Sequence, residues 1–271
     1  MIKLDEATIV KDYLAGVGVA ELARRCEVSD WTIKNRLQKH NIKTRSWFDL
    51  KDQFDEDFFF RDSQEFYYMM GFALGDGALV FGRSQCCLTF TLKYIDRCIL
   101  ENFCKWTNMN QTKIKTYRNG YTVRLVFNRP WMKNFSHLGL VSRKTYHPVI
   151  PTIPHDYIAP FILGLIDADG SVSWMKPMTN NKFPHRKIQN EHTLSLVGHP
   201  LIVDWVVSQL RALEFLGNIN AQIVKNKWKR MRIQRKNDVL DLARCLRLPE
   251  FIHLALPRKW MKLHQSLISM V

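Results

Sequence analysis

Two short segments, Met69–Gly77 (MMGFALGDG) and Ile162–Gly170 (ILGLIDADG), read almost as copies of each other, 93 residues apart. Each is an apolar run with small residues four positions apart, and each ends in Asp-Gly. Residues four apart share one face of a helix. Gly71 and Gly75 therefore form one small-residue stripe, and Gly164 and Ala168 form another. Such stripes let two helix backbones approach closely, so the repeat predicts two similar halves packed about a pseudo-twofold axis. Asp76 and Asp169 then fall at helix C-termini, where the macrodipole is already negative. Two carboxylates brought together there repel each other. A divalent cation between them removes that cost, and oxygen-only ligands suit Mg²⁺ or Ca²⁺.

The same alignment chooses between the acids of the second copy. Asp169 matches Asp76, whereas Asp167 matches Leu74. Asp167 also points about 200° away from Asp169 around the helix, and it reads as peripheral. The competing interpretation is two amphipathic helices, each stopped by Asp-Gly as a C-terminal cap. Two matched copies on a basic chain favour the shared site.

The basic character is pronounced: net charge is +15 and the pI about 9.7. That balance points to a polyanionic partner. It is unevenly spread, with +3 on residues 1–45, −5 on residues 46–66 and +17 on residues 67–271. The six cysteines form no CxxC pair, so they read as reduced, mostly buried thiols of an intracellular protein rather than a zinc site. No apolar run approaches membrane-spanning length, and the first residues do not resemble a signal peptide. The expected setting is intracellular, in the cytoplasm or nucleoid of a bacterium or phage-infected host, with no membrane partner.

Four segments follow from the pattern. Residues 1–45 read as a small helical module, with Ile9, Tyr13 and Leu14 on a first helix, Val19, Leu22 and Ala23 on a second, and Ser29 capping a third that turns Ile33 and Leu37 inward. Residues 46–61 are acidic and aromatic, a linker or a segment packed on the protein. Residues 62–155 and 156–271 hold the repeats. Asp62 with Glu65 looks like a capping box for the first motif helix. In the first copy, an alternating run spans 79–93, a helix 96–106, strands 112–117 and 121–127 around an Asn-Gly turn signal, and a helix 130–138. In the second, strands near 171–176 and 193–197 precede a helix 201–213, strands near 219–225 and 230–235, and a helix 238–246. Each half reads αββαββα. Strands alternate faces, placing Lys113, Lys115 and Tyr117 on one side with Arg124 on the partner strand. The second copy offers Lys225, Lys227, Lys229, Arg230, Arg232 and Arg235, with Lys176, Lys182, Arg186 and Lys187 in and around a long hairpin. A curved sheet with one basic face suits the major groove, which admits a β-ribbon. Most such cations contact phosphate and a minority read bases; Arg83 belongs to the same set.

The strings FALGDG and LGLIDADG, in this order and spacing, resemble the LAGLIDADG family of homing endonucleases in its single-chain, two-copy form, over roughly residues 58–271. That resemblance implies an α+β fold of two pseudo-symmetric αββαββα half-domains forming a DNA-binding saddle, preceded here by an all-α module. It implies hydrolysis of phosphodiesters in double-stranded DNA at a long asymmetric target, by a monomer, with Mg²⁺ replaceable by Mn²⁺ or Ca²⁺. Asp76 and Asp169 become the metal ligands, with Gly75 and Ala168 beside them. His137–Thr145 (HLGLVSRKT) is similar to the family's LGLxxxKS segment and makes Lys144 a catalytic cation; Leu256–Trp260 (LPRKW) makes Lys259 its partner. Where the family orders water with a polar residue after the second strand, this chain has Lys93 in one copy and Gly198-His199 in the other, a departure that implies unequal half-sites. Residues 19–33 resemble a helix-turn-helix, whose last helix enters the major groove and here exposes Trp31, Lys34, Asn35, Arg36, Gln38 and Lys39. The family implies an intron-encoded enzyme, the lack of an N-terminal Cys or Ser and of a terminal His-Asn pair arguing against an intein. Two alternatives share the scaffold: a non-cleaving transcription regulator, and an RNA maturase acting on intron RNA. Only the endonuclease requires Asp76 and Asp169.

Overall fold

The computed structural model describes residues 5–15, 17–42, 44, 54–81, 86–117, 120–174, 192–224 and 227–268. The chain divides into two compact units, Met1–Gln53 and Phe54–Val271. In the smaller one, α1 (Glu6–Leu14) is capped by Asp5, which accepts from the Thr8 amide at 2.5 Å. Helix α2 (Val19–Cys26) ends at Glu27, held in the left-handed region at φ 55°. Helix α3 (Asp30–Lys39) starts at the expected cap, Ser29, which accepts from the Thr32 amide at 3.2 Å. Ile9, Tyr13, Leu22, Ala23, Ile33 and Leu37 form the core. Leu14 does not join it: one residue beyond Tyr13, it is turned about 100° round the helix and is 69% exposed.

The larger unit opens with aromatic rings rather than a solvated linker. Phe58 and Phe59, in a short 3-10 turn, are buried, and Phe59 packs on Phe66, Phe127 and Trp131. Helix α4 (Gln64–Asp76) follows. Its cap is Ser63, accepting from the Phe66 amide at 3.1 Å, not Asp62, whose carboxylate takes the Tyr67 hydroxyl at 2.7 Å. Then come β1 (Gly77–Phe81), β2 (Cys86–Lys93), α5 (Arg97–Trp106), β3 (Lys115–Tyr117) and β4 (Thr122–Asn128). A 3-10 turn occupies Pro130–Leu138, where an α-helix was expected. The chain there leaves helical geometry at Phe135 and reverses at Gly139, φ 82°. The second copy runs α6 (Ile158–Asp169), β5 (Gly170–Trp174), β6 (His192–Gly198), α7 (Pro200–Ala212), β7 (Asn220–Val224), β8 (Trp228–Ile233), α8 (Lys236–Cys245), α9 (Leu248–Phe251) and α10 (Pro257–Ile268).

Among the described residues the strands form two antiparallel four-stranded sheets, ordered β1-β2-β4-β3 and β5-β6-β8-β7. Alternation sets their faces. Leu88, Phe90, Leu92, Val123, Leu125 and Phe127 are buried in the first, and Leu194, Leu196, Met231 and Ile233 in the second. Burying each such side chain contributes about 1.5–3 kcal/mol, enough to fix the register against a one-residue slip. Gly77 and Gly170 do not cap their helices in the left-handed form. Both are extended (φ −78° and −87°), and each helix runs directly into a strand. They are glycines for space: a Cβ at 77 would lie 2.6 Å from the Ala73 carbonyl oxygen, and one at 170 would lie 2.5 Å from that of Ile166. No helix among the described residues is long and apolar enough to cross a membrane.

Candidate active site

Helices α4 and α6 touch backbone to backbone, and the contacts obey the sequence repeat. A Cβ at Gly71 would collide with the carbonyl of Phe161, and a Cβ at Gly164 with the carbonyl of Tyr68. Phe161 is the counterpart of Tyr68 at the same 93-residue offset that relates the glycines, so the two contacts are one contact seen from each side. Gly75 and Ala168, counterparts themselves, meet each other: a Cβ at 75 would run into that of Ala168. The pseudo-twofold axis passes between them. Asp76 and Asp169, the last residues of the two helices, flank it, with a 75-based Cβ lying 3.2 Å from the Asp169 carboxyl carbon.

Both aspartates are exposed to solvent at the ends of their helices. Burial pushes the Asp76 carboxyl up, against the cations Lys259 and Lys144 that hold it down. Burial, followed by the charge of Asp76, pushes Asp169 up to about 6. The arrangement is strained by like charge.

The two lysines sit as the repeat demands. Lys144 Nζ donates to the Gly75 carbonyl at 2.7 Å, capping α4. Lys259, buried, donates to the carbonyls of Ile166 (2.9 Å), Asp167 (2.5 Å) and Gly170 (2.7 Å), capping α6. Each also faces across the axis: Lys259 is the leading cation for Asp76, and Lys144 for Asp169. Burial lowers both ammonium groups from their ordinary value; Asp169 and then Asp76 raise Lys144 again, and Asp167 and then Asp76 raise Lys259. Gly75 and Ala168 take the axial contact, and the Gly75 carbonyl is engaged by Lys144.

Asp167 is not peripheral. It is 2% exposed, and its Oδ2 accepts from the Tyr68 hydroxyl and the Leu256 amide, both at 2.7 Å. Its Oδ1 accepts from the Trp260 indole at 2.6 Å. Its rotation away from Asp169 aims it into the closing segment of its own half. Burial raises its carboxyl to about 6 despite those donors. A second pair was missed from sequence: buried Asp96 takes Arg258 bidentately at 2.5 and 2.8 Å and raises Asp76. The one available signal was that Arg258 adjoins Lys259.

Register places Lys93 and His199 at equivalent points, since Gly77 pairs with Phe90 and Gly170 with Leu196. Lys93 is exposed at the end of β2. His199 caps α7, its Nδ1 accepting from the Leu201 amide at 3.2 Å. It also lines a cleft of 310 Å³ with Lys144, Thr145, Asp169, Gly198 and Trp228. On the sheets, Lys115, Tyr117 and Arg124 share the open face, Lys115 pairing directly with Arg124. Lys113 lies in a 3-10 turn before β3 instead. Arg230 and Arg232 alternate with buried Met231 and Ile233 and so face outward. Lys229 lies on the helix-covered side, paired with Asp204 of α7, while Lys227 is exposed in the turn before β8. Arg235 caps α8. Arg83, Lys176, Lys182, Arg186, Lys187 and Lys225 lie outside the described residues. In the smaller unit Trp31, Lys34, Asn35 and Gln38 line one groove of 520 Å³ with Asn41, Ile42 and Thr44. Arg36, half-buried, is not among its lining residues.

No family model and no curated protein sequence matches the chain. Among solved structures, the I-SmaMI LAGLIDADG homing endonuclease bound to cleaved DNA is similar at 12% identity and TM-score 0.48, over 78% of this chain and 90% of that one. The LAGLIDADG meganuclease I-AabMI bound to uncleaved DNA is similar at 14% and 0.44, over 75% and 89%. The I-LtrWI LAGLIDADG homing endonuclease bound to target DNA is similar at 12% and 0.46, over 76% and 90%. Many of the solved structures that this chain resembles are thus LAGLIDADG homing endonucleases, all of them at low sequence identity.

Proposed function

We propose that this chain is a site-specific, divalent-metal-dependent endonuclease of double-stranded DNA, monomeric, intracellular and intron-encoded. The observation that carries the reading is the axial pair Asp76 and Asp169, held by glycine contacts beside two lysines and between two sheets with cationic open faces. The donor set fits a hard cation. No cluster of three or more His, Cys, Asp or Glu side chains suited to a metal exists among the described residues, and Mg²⁺ is commonly held by one or two carboxylates with phosphate and water completing its shell. A cation at Asp76 and Asp169 also offsets the burial that raises both carboxyls and the charge of Asp76 that adds to the rise of Asp169. Such a cation, when bound, supplies an activated water and stabilisation of the leaving oxygen.

The remaining work falls to the chain. Lys144 and Lys259 are oriented by helix-end carbonyls and supply positive charge where charge develops on phosphate. Arg124, Lys115 and Arg230 hold the duplex by its phosphates and base edges, and the groove along α3 adds affinity and target length. The direct test is cleavage of a randomised DNA library in Mg²⁺ by the wild type, Asp76→Asn and Asp169→Asn. Double-strand cuts at one long motif, lost in both variants, are expected. Selective binding without cutting would replace this reading with a regulator, and cleavage retained in both variants would remove the carboxylates from the chemistry.

A further inference from the structure

The two sheets share a register, so their open faces can be compared position by position. Thr89 of β2 pairs with Ala78 and Val126, and Ser195 of β6 pairs with Ser171 and Arg232. Asn220 extends the second row beyond Arg232. The first row is therefore Ala78–Thr89–Val126, and its counterpart is Ser171–Ser195–Arg232–Asn220. Around them the pattern is shared: Arg124 of β4 occupies the place of Arg230 of β8, each two residues before Val126 or Arg232. At the β4/β8 position of this row one face presents the methyls of Val126 where the other presents the guanidinium of Arg232, with Ala78 in the place of Ser171 at the edge strand.

Arg232 is half-buried, and its Nε is enclosed without a hydrogen-bond partner among the described residues, as is the Thr89 hydroxyl of the first row. Val126, by contrast, is a hydrophobic side chain 36% exposed on the same face as exposed Val80. In the major groove, Arg pairs bidentately with guanine O6 and N7, while small apolar groups contact the thymine methyl. We propose that this row is where the halves read different bases: Arg232, beside Ser195 and Asn220, takes a guanine, and Val126, in the row of Ala78, takes a thymine at the mirrored position. The proposal rests on the DNA-cleaving reading above and specifies its substrate, a target whose two half-sites differ at that step.

Binding-site selection from a random duplex pool tests it, with the full chain in EDTA so that no DNA is cut. The wild type should enrich a motif with guanine at one position and thymine at its mirror. Arg232→Val should lose the guanine preference by roughly 5- to 150-fold, the range expected of one bidentate pair, and leave the other positions unchanged. Arg232→Lys should retain affinity but relax the guanine preference, because a point charge cannot reproduce the fork. Val126→Arg should install guanine at the mirror. A melting midpoint matching the wild type's keeps each variant interpretable. Uniform weakening by Arg232→Val with every base preference kept would make Arg232 a phosphate contact and overturn the proposal alone, as would the same base enriched at both mirrored positions. No enriched sequence at all with wild type would overturn the DNA-cleaving reading as well.

Discussion

The crossing of α4 and α6 makes a quantitative prediction about Gly71 and Gly164. A methyl at 71 would stand 2.7 Å from the Phe161 carbonyl carbon and closer still to its oxygen. A methyl at 164 would stand 2.8 Å from the Phe72 amide nitrogen and closer still to the Tyr68 oxygen. Since the obstacles are backbone, neither can rotate away, and the helices must separate by roughly 1 Å to restore ordinary contact. A gap of that size forfeits a quarter to a half of each dispersion contact along the crossing, and because the obstacle is backbone the cost sits at the upper end of the usual overpacking range, about 3 kcal/mol. Gly→Ala within a helix returns about 1 kcal/mol of propensity, leaving a net loss of about 2 kcal/mol for Gly71→Ala or Gly164→Ala. Once one methyl has opened the crossing, the second enters a gap already made. The double variant should therefore lose less than the sum, with a coupling of about 1 kcal/mol. Urea unfolding of the larger unit, followed by circular dichroism, reads both quantities. Gly198→Ala is the control, because a Cβ there would meet Val203 at an ordinary 3.6 Å. Single variants as stable as the wild type, or strictly additive losses, would refute the reciprocal backbone contact.

Other outcomes follow from the same site. Asp167→Asn places an NH₂ group against one of three fixed donors and should cost about 2–4 kcal/mol in urea, with the pairing of Tyr68 and Trp260 disturbed. In EDTA, the raised carboxyl of Asp169 stabilises the fold only when protonated, so the penalty is absent below its ordinary 3.8 and complete above about 6. The rise is worth about 3 kcal/mol for an enclosed group and about 1 for one that still reaches water. The stability of the wild type relative to Asp169→Asn should fall by that amount between pH 4 and 7 in thermal melts, and Mg²⁺ should cancel the fall. Lys259→Met removes three charge-assisted hydrogen bonds whereas Lys144→Met removes one, so the former should lower the melting midpoint more. Deleting residues 1–53 should weaken DNA binding and flatten its salt dependence while cutting at saturating protein persists; complete loss of cutting would refute that division.

Much of the site was legible because it is local and duplicated. The ends of α4 and α6 at Asp76 and Asp169, the small-residue stripes and the strand order all follow from short-range patterning that the second copy repeats. What escaped depends on long-range partners. Asp167 acquires its role from Leu256 and Trp260, 89 and 93 residues away, and no helical wheel contains them. Asp96 meets Arg258 at a separation of 162. Ser63 won the cap over Asp62 because Tyr67 captured the Asp62 carboxylate. Lys229 is one residue from Arg230, yet strand alternation sends it to the opposite face, where Asp204 waits.

The exchange of lysines across the axis has a consequence for how such a molecule can change. Lys144 leans on the helix end of its own half but serves the carboxylate of the other, and Lys259 does the reverse. Each aspartate feels both lysines, the one from the other half first. Halves recombined from diverged relatives would inherit mismatched charge at the seam unless all four groups still matched across it, which ties the two copies into a single inheritable unit.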